Sequence, residues 1–176
     1  MILAGQRRMR RRAAPGKDGA AMARLPYASI APEGYRHWTA MLEYLHKCGL
    51  ETSLINLVFL RVSQINACPY CVDSHWRDAR QAGEDDQRLN GLVVWRDTPF
   101  YTERERAALA WAEAVTNLPD GRVSDEHFAA AHGQFGDKEL VDLTMAIAQM
   151  NALNRLAIAM HVTPAVRRPK PETGLD

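Results

Sequence analysis

Three side chains in one short run can do chemistry together: Cys68, Cys71 and His75, in Cys68-Pro69-Tyr70-Cys71-Val72-Asp73-Ser74-His75. A thiolate, not a thiol, is the nucleophile, and a helix N-terminus favours the thiolate because its unpaired amides and dipole stabilise negative charge. On a helix of 3.6 residues per turn, positions 68, 71 and 75 fall within about 60° of one another, so two sulfurs and an imidazole share a face. His75, one turn after Cys71, is then placed to take a thiol proton and return it to a leaving group. The second sulfur would convert a sulfenic acid into a disulfide before further oxidation. The same Cys-x-x-Cys also serves zinc, but a structural zinc site needs a fourth ligand and usually a second close pair. His37, His46, His127, His132 and His161 stand at no such spacing. Two buried cysteines and a surface histidine are the bland alternative, and for Cys48, which has no partner in sequence, a small core hydrophobe is the expectation. No metal and no bound cofactor are expected.

The elements that must position this run are helical. Strand signals are nearly absent, and apolar spacings of three and four recur, so the fold class is all-α, a single-domain helical bundle. A helix is expected after Pro32, carrying Trp38, Met41, Leu42 and Leu45 toward a stop at Gly49. A second, entered through Thr52 or Ser53, carries Leu54, Leu57, Val58, Val62 and Ile65 up to Cys68. Pro69 suits the first position of a third helix, which ends at Gly83. A short helical piece follows over 85–95. Thr102 and Glu105 form a capping box for the next helix. Ser124 or Asp125 caps another, and Asp137 opens a last, long helix through Met160. That helix is apolar nearly all round, which suggests burial on several sides, including against other subunits. The four tryptophans, Trp38, Trp76, Trp95 and Trp111, are expected in the core or at interfaces.

The chain has 176 residues, 22 Lys+Arg against 21 Asp+Glu, and three cysteines. That is one domain's length, with no broad field for nucleic acid or an acidic substrate and too few cysteines for a secreted disulfide scaffold. No stretch approaches the ~18 to 20 apolar residues of a transmembrane helix, so no membrane association is expected and the cytoplasm is the natural placement. Residues 1–24 form a basic extension without periodicity, expected to be disordered, and Met22 is a candidate true start. The helical domain covers 25–163, and 164–176 is a solvated tail.

The run Leu60-Arg61-Val62-Ser63-Gln64-Ile65-Asn66-Ala67-Cys68-Pro69-Tyr70-Cys71-Val72-Asp73-Ser74-His75 closely resembles the core motif of the alkylhydroperoxidase D-like, carboxymuconolactone decarboxylase superfamily, and Asn151-Ala152-Leu153-Asn154-Arg155-Leu156-Ala157 resembles its closing helix. The resemblance implies an all-helical domain, a homo-oligomer built as a trimer or a multiple of it, and reduction of a hydroperoxide by Cys68 and Cys71. An external dithiol, lipoyl or thioredoxin-like, would reopen the disulfide. In the peroxidase members a glutamate on the preceding helix joins the histidine and the thiols in a proton relay. His75 matches that histidine, but the glutamate's place holds Asn56, which cannot take a proton at neutral pH. Some peroxidases of the family carry a histidine just before the second cysteine, where this chain has Tyr70. Ser63 and Asp78 complete the supporting candidates; Asp78, three residues after His75, could orient the imidazole or simply be a solvated charge. Asn151, Asn154 and Arg155 interrupt an apolar helix, for which satisfied buried hydrogen bonds are the expectation. Two rivals stand beside the peroxidase reading. One is a redox-sensing oligomeric module, favoured by the missing glutamate. The other is a lactone decarboxylase-like enzyme, disfavoured because those branches lack the cysteine pair.

Overall fold

The computed structural model describes residues 23–167, and the basic extension and the tail lie outside the described residues except for 23–24 and 164–167. Among the described residues there are eight α-helices and no strand: α1 (Tyr27–Ile30), α2 (Pro32–Leu45), α3 (Thr52–Ile65), α4 (Pro69–Gln81), α5 (Asp86–Gly91), α6 (Glu103–Asn117), α7 (Asp125–His132) and α8 (Asp137–Ala159). The all-α expectation holds, and so do most of the signals that punctuate it. Pro32 and Pro69 each open a helix. Thr102 and Glu105 close the capping box, the Thr102 amide donating to Glu105 Oε2 at 2.8 Å. Asp85 caps α5 through the amides of Gln87 and Arg88, and Ser124 caps α7 through that of His127. Gly83, at φ +95°, carries the left-handed turn after α4.

α3 is the central element. Every residue from Leu54 to Leu60 on it is buried, because α4, α6 and α8 pack around it. One core cluster joins Leu54, Val58 and Val62 of α3 to Trp111 of α6 and Ile147 and Met150 of α8; a second joins Leu57 and Leu60 to Leu92, Trp95 and Leu109. Each fully buried Leu, Val or Phe contributes roughly 1.5–3 kcal/mol from removal of apolar surface. This is why a helix that sequence pattern alone paints as amphipathic is here buried on almost every side.

The structure departs from the sequence expectation in two places, the segment before Pro32 and the cap of α3, and it also shows which large apolar side chains stay exposed in the single chain. The short α1 before Pro32 was not foreseen, and it buries no residue. Neither Thr52 nor Ser53 caps α3; Glu51 does so in extended conformation, with its carboxylate on Arg104 at 3.0 Å instead of on the backbone. Trp95 and Trp111 are buried, but Trp76 is 40% exposed on the outer face of α4. α8 buries one face, while Val141, Met145 and Ile158 are exposed in the single chain. No helix among the described residues is long and apolar enough to cross a membrane.

Candidate active site

The corner between α3 and α4 is a Schellman turn built around Ala67. The Ala67 amide donates to Gln64 O at 3.1 Å and the Cys68 amide to Ser63 O at 3.0 Å, so the last carbonyls of α3 are satisfied while the chain reverses. Ala67 itself sits at φ +52°, a left-handed conformation that costs a residue with a Cβ roughly 1–2 kcal/mol. That cost is borne one residue before the reactive pair. Cys68 follows in extended conformation as the N-cap of α4, and its Sγ accepts the Cys71 amide at 3.4 Å. Cys68 and Cys71 are joined as a disulfide with their Cα atoms 5.3 Å apart. Cys68 is thus a cap and not a first-turn residue, and its sulfur faces an amide hydrogen at the positive end of the helix. The pair is nearly shut away from solvent: Cys68 is 0% exposed and Cys71 5%.

His75 lies one turn beyond Cys71. Its Nδ1 stands 3.4 Å from Asp78 Oδ2, and its ring lies 5.3 Å, centroid to centroid, from that of Phe59 on α3. Hydrogen bonding to His75 holds the Asp78 carboxyl below its usual range, against the opposing pull of burial. Asp78, half exposed, thus stands within reach of the imidazole. Phe59 limits how the ring can turn. Asn56 is buried on α3, 6% exposed. Tyr70 packs beside the disulfide with Tyr27, Ala157, Met160 and Val162. Cys48 is away from the pair, half-buried against the main core, its Sγ donating to Leu45 O at 3.1 Å.

Beneath the disulfide the seam between α3 and α8 is held by neutral amides. Asn154 Nδ2 donates to Ser63 Oγ at 3.1 Å, and Asn66 Nδ2 donates to both Asn151 Oδ1 at 2.9 Å and Asn154 Oδ1 at 3.0 Å. Asn151 donates in turn to Thr116 Oγ1 at 3.0 Å and accepts from Arg155 at 2.8 Å. The expectation of satisfied buried hydrogen bonds holds for Asn151 and Asn154, whereas Arg155 is exposed and bonds to Asn151 from the surface; Ser63 is drawn into the same network. Asn66 and Thr116 were missed. The available signal was Asn151 and Asn154, three residues apart on one side of an apolar helix.

On the other side of α3, Glu113 of α6 accepts from Arg61 Nε at 2.9 Å and from Trp95 Nε1 at 2.8 Å, and pairs with Arg96. Burial pushes its carboxyl up, but the hydrogen bonds from Trp95 and Arg61 outweigh this, and its pKa is lowered. A cleft of about 650 Å³ opens here, lined by Glu113, Arg96, Arg122 and His127 among others, and none of Cys68, Cys71 and His75 lines it. No group of three or more His, Cys, Asp or Glu side chains among the described residues is placed to hold a metal ion.

Residues 32–114 match the model of the carboxymuconolactone decarboxylase family. The uncharacterized protein YdfG of Bacillus subtilis (strain 168) is 38% identical over 137 residues, which span 78% of this chain and 93% of the relative. The chain belongs to the carboxymuconolactone decarboxylase family. The alkylhydroperoxidase D-like resemblance within it is supported by two solved structures. A protein of unknown function from Agrobacterium tumefaciens, described as a candidate antioxidant defence protein AhpD, superposes with a TM-score of 0.80 at 38% identity, covering 83% of this chain and all of that one. An uncharacterized peroxidase-related protein from Silicibacter sp. TM1040 follows at 0.70 and 25%, covering 78% of this chain and 73% of that one. These family members share the all-helical fold on which the Cys68–Cys71 corner is built here.

Proposed function

We propose that the chain is a thiol-dependent, peroxidase-like oxidoreductase that reduces hydroperoxides through a Cys68/Cys71 dithiol–disulfide cycle assisted by His75. The observation that carries this reading is the cysteine pair at the start of α4, bonded to each other, with an α4 amide on Cys68 Sγ and the Asp78-held imidazole one turn beyond Cys71. In the cycle one thiolate attacks the terminal oxygen of the hydroperoxide and the O–O bond breaks. The sulfur becomes a sulfenic acid, and the alkoxide leaves as an alcohol on taking a proton, which the imidazolium of His75 supplies. The second thiol then displaces hydroxide from the sulfenic sulfur. The S–S bond forms and water leaves. Either sulfur satisfies this balance in the first role. An external dithiol, lipoyl or thioredoxin-like, returns two electrons and two protons. No bound cofactor enters the cycle.

Asp78 takes over part of the work of the family's glutamate in this reading. It orients the imidazole from the α4 side, while Asn56 leaves the α3 side without a proton acceptor. The cytoplasm, where dithiol reductants are held reduced, is the matching compartment. Self-association, as a trimer or a multiple of one, belongs to the same proposal. Its support is a groove of about 520 Å³ between α6, α7 and α8, lined by Trp111, Phe128, Leu140, Val141 and Met145, in which Phe128 and Val141 are half exposed in the single chain. Light scattering should give a mass above that of a dimer at micromolar concentration, and a monomer would remove this part.

The test is consumption of an organic hydroperoxide with dihydrolipoamide as electron donor. Turnover should be lost in both Cys71→Ser and His75→Ala. The absence of Glu at position 56 supports a second reading, a redox-sensing module. Under it, one equivalent of peroxide would close the disulfide but no sustained turnover would follow.

A further inference from the structure

The nearly complete burial of a pair meant to exchange electrons with outside molecules requires a way in. Its cover is built from two chain segments that meet over the disulfide. One is the turn after α8, where His161 adopts φ +54° and sends Val162 back onto Cys68 and Cys71, with Met160 packed alongside. The other is the segment before α2. The Arg24 amide donates to Met160 O at 2.7 Å, and Tyr27 packs against the cysteine cluster with its ring 5.6 Å from that of Tyr35. Tyr70 packs against the same cysteine cluster as Tyr27. The two segments differ in how firmly they are held. Val162 is tied into the helix end by its amide on Ala157 O at 2.9 Å and is itself buried. α1 is four residues long and buries nothing, and Leu25 and Ile30 beside Tyr27 are 52% and 62% exposed. Elements with few buried contacts open locally at a small fraction of the global unfolding free energy.

We propose that residues 24–30 are a gate over the Cys68–Cys71 pair, latched by Tyr27 against the cysteine cluster and by the Arg24 amide on Met160, and that reagents reach the disulfide only when this gate lifts. The gate gives the redox reading its point of access and rests on that reading for its meaning. Its test needs no peroxide, so failure of one is separable from failure of the other. The oxidised chain is mixed with dithiothreitol, one sulfur of which attacks the disulfide. The second closes the reagent's ring, and two electrons and two protons pass to Cys68 and Cys71. The reference is an oxidised peptide carrying residues 66–75.

The folded chain should react at least roughly tenfold more slowly than the peptide, since attack waits on a minor open state. Tyr27→Ala and Arg24→Pro, the latter deleting the amide that pins the segment, should each recover most of that factor. Arg24→Ala, which keeps the amide, and Trp76→Ala, on the outer face of α4, should not. In the wild-type chain, exchange protection of the Arg24 amide should match the slowing of reduction to within a few-fold, a readout that depends on no variant. Reduction of the wild type at the peptide's rate would overturn the gate. So would unchanged rates in Tyr27→Ala and Arg24→Pro at unchanged melting temperature.

Discussion

Arg61 and Ser63 lie two residues apart on α3 and face opposite regions of the molecule. Arg61 points to the α6 rim, where one carboxylate, Glu113, gathers two guanidiniums and an indole beside an open cleft. Ser63 points to the α3–α8 seam, where Ser63, Asn154, Asn66 and Asn151 are bonded in a row that ends on Thr116 and Arg155. Both hold α3 in place. The seam does so chiefly through neutral side chains, with the Arg155 guanidinium bonded to Asn151 at its exposed end, whereas the rim relies on ion pairs. At the rim no reacting group is near, and ion pairing serves as scaffolding.

The comparison breaks most visibly at Asn154. Asn154→Ala should cost about 2–3 kcal/mol, because it strips buried Ser63 of its donor, leaves Asn66 only its bond to Asn151 and opens a small cavity. Urea denaturation measures this, and Cys68 should become more accessible to alkylation as the corner loosens. A loss under 1 kcal/mol would mean the seam is not what holds the corner. Next in size is Asn56→Glu, which restores a proton acceptor at a buried position where desolvation raises a carboxyl pKa toward neutrality. General acid–base assistance is worth roughly 10² to 10⁴ in rate, so peroxide turnover should rise by at least about tenfold. Unchanged turnover would mean that Asp78 and His75 suffice.

The rim predicts a pH signature that the seam, which is bonded through no carboxylate, lacks. Glu113 titrates below its usual 4.5 in the folded chain, so it binds protons more weakly folded than unfolded. Its stabilisation is fully present above about 4.5 and is lost as pH falls through the folded value. Glu113→Gln should therefore cost about 2 kcal/mol at pH 7 by stranding Arg61, which is only 17% exposed, and the gap to wild type should close in acid. Asn154→Ala should show no such closing. The smallest effect is expected at Ala67, where glycine relieves the left-handed strain but adds freedom to the unfolded chain, for a net gain of about 0.5–1 kcal/mol in thermal melts.

How far the sequence disclosed these regions follows from the range of the forces involved. Helix ends are local, so Pro32, Pro69, Gly83, Thr102 with Glu105, and Ser124 could be placed from spacing alone, and each stands where spacing puts it. The reactive run was legible for the same reason: Cys68, Cys71 and His75 fall within eight residues. The seam was not, because Asn66 meets Asn151 and Asn154 across 85 and 88 residues of chain, and no spacing rule connects them. Glu113 was overlooked because an acid in a charged helix is usually solvated; only the fold brings Arg61 and Trp95 to it. Asp78 shows the opposite case. Its spacing from His75 allowed either a solvated charge or an orienting contact, and the packing of Phe59 against the imidazole helps hold the ring where that contact forms.

The central claim is that Cys68 and Cys71 are a working redox pair and Cys48 is not. It is tested most directly by treating the fully reduced chain with one equivalent of an organic hydroperoxide and mapping its peptides by mass. The peptide bearing Cys68 and Cys71 should lose two hydrogens by forming an internal disulfide while Cys48 stays free, and His75→Ala should slow this closure. A Cys48 disulfide as the main product, or a chain left fully reduced while its peroxide is untouched, would contradict it.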